Sequence, residues 1–144
     1  MNNIVTQAMS SREGLDTLPI RVGAGAIFTA HGAQKLFGWF GGYGLEGTAG
    51  WMASIGLEPG YALAVLAGSA EFFGGLLLIV GLLVRPVALV LAVTMAVAIV
   101  SVHLENGFFM SNNGYEFALG LLVISVGLML RGAGSFSADR TLAH

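Results

Sequence analysis

The run from Tyr61 to Val84, YALAVLAGSAEFFGGLLLIVGLLV, is apolar or small throughout except for one carboxylate, Glu71. At a rise of about 1.5 Å per residue, a helix of that length spans a hydrocarbon core of about 30 Å. Glu71 then lies roughly 15 Å from the Tyr61 end, close to the midplane. A lone acid at that depth is expensive. Ionisable groups in spanning helices are rare, face the bundle interior and need a partner. Ala64, Gly68 and Gly75 share a stripe with Glu71, so the acid sits in a groove of small residues facing other helices.

The rest of the chain reads as a membrane protein of the same kind. Charged residues make up 10% of the 144, against about 25% in soluble domains, and apolar residues 56%, with 22 glycines besides. A net charge of −2 and no basic patch leave no footprint for nucleic acid. The absence of cysteine excludes disulfides, CxxC redox chemistry, cysteine nucleophiles and thiolate metal sites. Any electrons handled by such a chain must be carried by a bound cofactor.

Hydropathy and turn signals predict one domain over 1–144. It is an all-α membrane protein, an antiparallel bundle of four transmembrane helices at about 20–38, 61–84, 87–104 and 115–131. Pro19 suits the first turn of helix 1. A short interfacial helix, Thr48 to Ile55, is expected between helices 1 and 2, with Thr48 as its N-cap and Trp51, Met52 and Ile55 on one face. Arg85-Pro86 is expected to make the next turn, and Gly132 to close helix 4 as a left-handed cap. Segments 1–18 and 132–144 read as polar cytoplasmic tails, the first lacking the pattern of a cleaved signal peptide. Arg12, Arg21, Arg85, Arg131 and Arg140 fall on the side of the termini and Lys35 alone on the other, which predicts that the termini lie in the cytoplasm.

This topology brings the ends of helices 1 and 3 and the starts of helices 2 and 4 into the outer half. His31, Gln34, Lys35, Glu71, His103, Glu105 and Glu116 all belong to those segments. His31, Gln34 and Lys35, at offsets of three and four, share a helix face. A Glu71–Lys35 or Glu71–His31 pair is the expected neutralisation. His103 and Glu105 are two apart on a helix, about 200° around it, so His103 is expected to face the pocket and Glu105 the rim.

The motifs R-V-G-A-G-A-I-F-T-A-H-G-A-Q-K-L at 21–36, E-F-F-G-G-L-L-L-I-V-G-L at 71–82, the region of His103, G-Y-E-F-A-L at 114–119 and G-A-G-S-F-S-A-D at 132–139 resemble the DoxX family of small four-helix bacterial membrane proteins. The resemblance implies four spans with cytoplasmic termini. It also implies a link to quinone-coupled oxidation, to quinone or oxidative stress, or to membrane oxidoreductase complexes. His31, Lys35, Glu71 and Glu116 match the polar positions typical of the family.

Two accounts of the polar cluster follow. In one, Lys35 and Glu71 form a structural ion pair that fixes helix packing, a contact worth about 0.6–2 kcal/mol in membranes. In the other the cluster is a site: Gln34, Lys35, His103, Glu116 and Trp39 bind the oxygens and ring of a quinone, and His31 and Glu71 exchange protons with it. Trp39, Phe40, Trp51 and Phe108 are candidate apolar walls, or else interface anchors.

Haem ligation by His31 and His103 ranks well below, since there is no CxxCH. A metal site is disfavoured by Lys35 and by the absence of a Glu-x-x-His pair. GWFGGYG lacks the Lys-Ser/Thr ending of a phosphate loop. The expected function is thus a component of a quinone-linked oxidoreductase system. Its expected partners are the lipid bilayer, a quinone, a membrane or soluble redox protein, and a second copy of the chain. The alternatives are a structural or assembly subunit without catalysis, and small-molecule or proton transport, for which four helices would require an oligomer.

Overall fold

The computed structural model describes residues 14–143; Arg12 and most of the N-terminal segment 1–18 lie outside them. All regular structure among the described residues is helical. Four long helices form the body: α1 (Leu18–Phe37), α3 (Gly60–Val80), α4 (Val84–Ala98) and α5 (Glu116–Arg131). The short α2 (Gly44–Ser54) bridges α1 and α3, and α6 (Ala138–Leu142) ends the chain. A π turn, Ile99–His103, and a 3₁₀ turn, Leu104–Asn106, prolong α4.

Two helices are long and apolar enough to cross a membrane: α3, and α4 with its extension, Val84–Asn106. Their outward faces are apolar too, with Leu66 and Phe73 on α3 and Val93, Val97 and Val100 on α4 all exposed. Monomeric soluble proteins rarely present contiguous apolar surface of that extent. The core between the helices is made of small and aliphatic side chains, including Ala24, Phe28, Leu78, Ala88, Leu91, Met95, Leu121 and Leu128.

The antiparallel pair α1/α3 makes the closest contact, and glycine allows it. A Cβ on Gly32 would collide with the backbone N of Phe72, and one on Gly75 with Thr29 and the carbonyl of Gly25. These positions therefore set how nearly the two helices approach. Gly32→Ala is expected to lower stability by about 1–3 kcal/mol, the usual cost of overpacking. Gly127→Ala, where a Cβ meets open space, should be neutral or gain up to about 1 kcal/mol from the lower entropy of the unfolded chain. Unfolding curves of the two variants in mixed detergent check both.

Four local expectations are corrected. The third helix begins at Val84 rather than Val87: the turn is Gly81–Leu83, with both of those residues at positive φ. Arg85 and Pro86 fall in the first helical turn, where the missing N–H of proline has no partner to lose. The interfacial helix starts at Gly44, so Thr48 is inside it rather than capping it, buried, with Oγ1 donating to Lys35 O at 3.4 Å. Met52 is buried while Trp51 and Ile55 stay exposed. Gly132 has φ 87° and ψ −164°, an extended conformation of positive φ rather than the left-handed helical cap.

The fourth correction concerns 132–144, which is not a free tail. Thr17 Oγ1 donates to Ala133 O at 2.6 Å and Ser135 N to Gly14 O at 2.8 Å. Asp139 caps α4, its two carboxylate oxygens accepting from Leu83 N at 2.7 Å and Val84 N at 3.0 Å. Between these contacts the fully buried Arg21 donates to the carbonyls of Leu78, Ile79, Ser135 and Phe136 at 2.9–3.4 Å. Its Nε has no partner among the described residues.

Candidate functional site

The small-residue stripe of α3 carries Ala64, Gly68, Glu71, Gly74 and Gly75, all buried. Because these side chains are small, α1 lies close enough for Lys35 Nζ to donate to Glu71 Oε2 at 2.7 Å. The carboxylate is 4% exposed and the lysine side chain 25%. Of the two partners the sequence left open for Glu71, the structure selects Lys35. Gly68 is part of the reason: the Lys35 stem and Leu36 pack directly over it.

One helical turn before Lys35, the His31 ring lies tilted against Phe117 of α5, centroids 5.8 Å apart. No hydrogen bond joins that ring to another described residue. From the opposite wall comes His103, presented by the π turn of α4. There Leu104 N bonds back to Ile99 O, one residue further than in an α-helix. The extra residue turns the end of α4, a local device that recurs at functional sites. His103 Nδ1 is 3.0 Å from Asn113 O. A carbonyl only accepts, so Nδ1 carries the proton and donates, and in the neutral ring Nε2 keeps its lone pair.

His31, Lys35, Glu71 and His103 line one half-enclosed cavity of about 280 Å³ between the helices, toward the end of the bundle that carries the α4–α5 connection. Its walls are mostly apolar: Phe28 from α1, Met95 from α4, and Phe117 and Leu121 from α5. Met110 and Asn113 of the α4–α5 connection lie over the mouth. That connection is pinned by Glu116, whose Oε1 accepts from Met110 N at 2.9 Å and whose N donates to Phe108 O at 2.9 Å.

Four other residues considered from the sequence do not line the cavity. Gln34 Nε2 donates to Phe40 O at 3.2 Å, holding the chain reversal after α1, and Gly42 packs on its Cα. Trp39 is exposed against Phe37 and Phe40. Glu116 shapes the mouth without lining it. Glu105 is exposed at the rim. The walls proper, Phe28, Met95, Phe117 and Leu121, were missed; Phe28, three residues before His31, and Phe117, beside Glu116, carried a positional signal.

The site thus holds a partly buried ammonium–carboxylate pair, an imidazole with no hydrogen bond to another described residue and an imidazole whose Nδ1 donates to a carbonyl, around a small apolar chamber. Such a set can donate to a carbonyl oxygen, accept from a hydroxyl and pass protons. Among the described residues no three His, Cys, Asp or Glu side chains gather as a metal-binding group.

Among the described residues the structure is an all-helical bundle with two helices long and apolar enough to cross a membrane and an apolar-walled cavity bordered by ionisable side chains, features that suit a small helical membrane protein. The DoxX family model matches residues 17–104, and the chain belongs to the DoxX family. The matched stretch includes His31, Lys35, Glu71 and His103 and ends before α5. The chain is similar to the Bacillus subtilis (strain 168) protein named "Putative oxidoreductase CatD", 36% identical over 125 residues, 87% of this chain and 85% of that one. Two Haemophilus influenzae proteins, each named uncharacterized, are also 36% identical. One matches over 74 residues, 51% of this chain and 49% of its own, and the other over 83 residues, 56% of this chain and 62% of its own. No solved structure matches.

Proposed function

We propose that the protein is a bundle of four transmembrane helices in the bacterial cytoplasmic membrane, with cytoplasmic termini, and that its cavity binds a quinone for an oxidoreductase system. The observation that carries the reading is the cavity itself, apolar-walled and bordered by Lys35, Glu71, His31 and His103. Its volume of about 280 Å³ lies just below the roughly 300–1,000 Å³ range of ligand sites, fit for one substituted ring and too small for a dinucleotide. The similarity to a protein named as an oxidoreductase supports the same class.

A quinone supplies a couple of two electrons and two protons. Lys35 Nζ, with N–H groups beyond the one given to Glu71, donates to one ring oxygen. His103 Nε2 accepts from a hydroxyl on the opposite side, and Asn113 O holds that ring in place. His31 and Glu71 hold and release protons. The quinone carries the electrons, which a redox partner protein supplies or takes up, since a chain without cysteine has no thiol to hold them.

A second reading is favoured by one observation, the position of the Lys35–Glu71 pair at the closest helix contact. There the pair would serve packing alone, in an assembly subunit. Titration with decylubiquinone, followed by intrinsic tryptophan fluorescence in detergent, separates the two. Saturable binding is expected for the wild type. Hydrogen bonds to charged groups contribute about 1.5–3 kcal/mol, so a folded K35M/E71Q variant should bind at least tenfold more weakly. Equal binding by that variant, or no saturable binding by either protein, removes the quinone reading and leaves the packing one.

A further inference from the structure

At the opposite end of the bundle a second, open groove of about 440 Å³ runs between the start of α4, the end of α5 and the C-terminal segment. Arg85, Arg131 and Arg140 all line it, each from a different one of these elements. Among the described residues only one of the three has a carboxylate partner: Arg131 Nε donates to Asp16 at 3.0 Å. Arg85 reaches only Arg131 O, at 3.5 Å, and Arg140 Nη1 donates to Ser135 Oγ at 2.8 Å. Asp139 also borders the groove, but both its carboxylate oxygens are engaged in capping Leu83 and Val84. With Arg21 buried just behind, four guanidiniums gather here against two carboxylates among the described residues.

Three guanidiniums crowded at the end of a bundle repel one another, and an anion among them relieves that repulsion. Guanidiniums pair with phosphate oxygens bidentately, which makes phosphate the anion this geometry suits best. We propose that this groove is a binding site for a phosphate-bearing anion. The groove's rim says which source it draws on. Leu83, which lines the groove, is 55% exposed, and Phe136 and Leu142, on the C-terminal segment that forms one of its walls, are 76% and 75% exposed. An apolar rim beside a basic groove at a helix-bundle end matches the head group and upper acyl chains of an anionic phospholipid. A soluble phosphate would leave that rim in water. The inference does not depend on the cavity at the other end or on its occupant.

The test uses the full chain in neutral detergent, with short-chain phosphatidylglycerol, phosphatidylcholine of the same chain length, and inorganic phosphate as separate titrants. Thermal unfolding and native mass spectrometry give the two readouts. Phosphatidylglycerol is expected to raise the melting temperature and remain bound in the spectrometer, with phosphatidylcholine doing neither. R85Q/R140Q should weaken that binding about 25-fold, from roughly fivefold per basic residue near an anionic head group. Both arginines are exposed, so the variant keeps its fold, which circular dichroism verifies. Stabilisation by inorganic phosphate equal to that by phosphatidylglycerol, lost in R85Q/R140Q, upholds the phosphate site and assigns it to a soluble anion. Equal response to phosphatidylglycerol and phosphatidylcholine with none to phosphate, or unchanged binding in R85Q/R140Q, overturns the proposal.

Discussion

Lys35→Met and Glu71→Gln will each destabilise the folded protein, and the double variant will be more stable than the worse of the two. The reason lies in the geometry of the pair: Nζ and Oε2 at 2.7 Å, with the carboxylate 4% exposed. Removing one partner of a buried pair strands the other charge in a medium of low dielectric constant, at a cost of about 3–5 kcal/mol. Removing both leaves an amide and a thioether among small residues and is close to neutral.

Lys35→Met should be the worse single change. The lysine is 25% exposed and can turn its ammonium outward on its long stem when Glu71 is gone. Glu71 has no such route; it must take up a proton or turn to His31, which borders the same cavity. Reversible unfolding in mixed detergent, carried out as a double-mutant cycle, measures the coupling directly. Additive losses would mean that the two charges do not stabilise one another, and the account of α1/α3 packing given above would fail with them.

Replacing Arg21 by Met is expected to cost at least as much, about 3–5 kcal/mol, and to act far from its own helix. The guanidinium is fully buried and bonds four carbonyls, two at the end of α3 and two in the C-terminal segment. Buried acceptors left unpaired each cost about 1–3 kcal/mol unless water reaches them. Water will reach those of Ser135 and Phe136 by displacing the segment. Arg21→Met should therefore expose Arg131 and Arg140 to trypsin much faster than in the wild type, while the Lys35–Glu71 end stays protected. Arg21→Lys keeps the charge but not the planar fork, and should recover only part of the loss. A variant with unchanged trypsin sensitivity would show that the segment is held by Thr17 and Asp139 alone.

The parts of this arrangement that were legible in the sequence share a physical basis. A carboxylate in an apolar helix must be paired, and the small residues on its stripe say where a neighbour comes close, so Glu71 and its groove could be read directly. Lys35 and His31 were both within reach as partners, and only the register of α1 on α3 chose between them. Gln34, like Lys35, shares a face with His31 in helical periodicity, yet α1 ends at Phe37 and the chain doubles back. The carbonyl of Phe40 thereby becomes its partner. Trp39, Phe40, Trp51 and Phe108 looked like cavity walls or interface anchors, but the walls come from Phe28, Met95, Phe117 and Leu121, placed by tertiary packing. Least legible was the C-terminal segment. Its contacts to Arg21 and Thr17 are made by backbone carbonyls, which every residue possesses and no composition marks.

The clasp on Arg21 also orders events in time. Leu78 and Ile79 leave the ribosome 57 and 58 residues after the arginine, whereas Ser135 and Phe136 follow it by 114 and 115. The first helix is therefore made, and its charge committed to the end of the bundle, long before half of the carbonyls that receive it exist. Through most of its synthesis the nascent chain carries a guanidinium half provided for, and only the last stretch to emerge completes its coordination. The C-terminal segment closes the molecule, and the closing contact is with a residue in the first turn of α1.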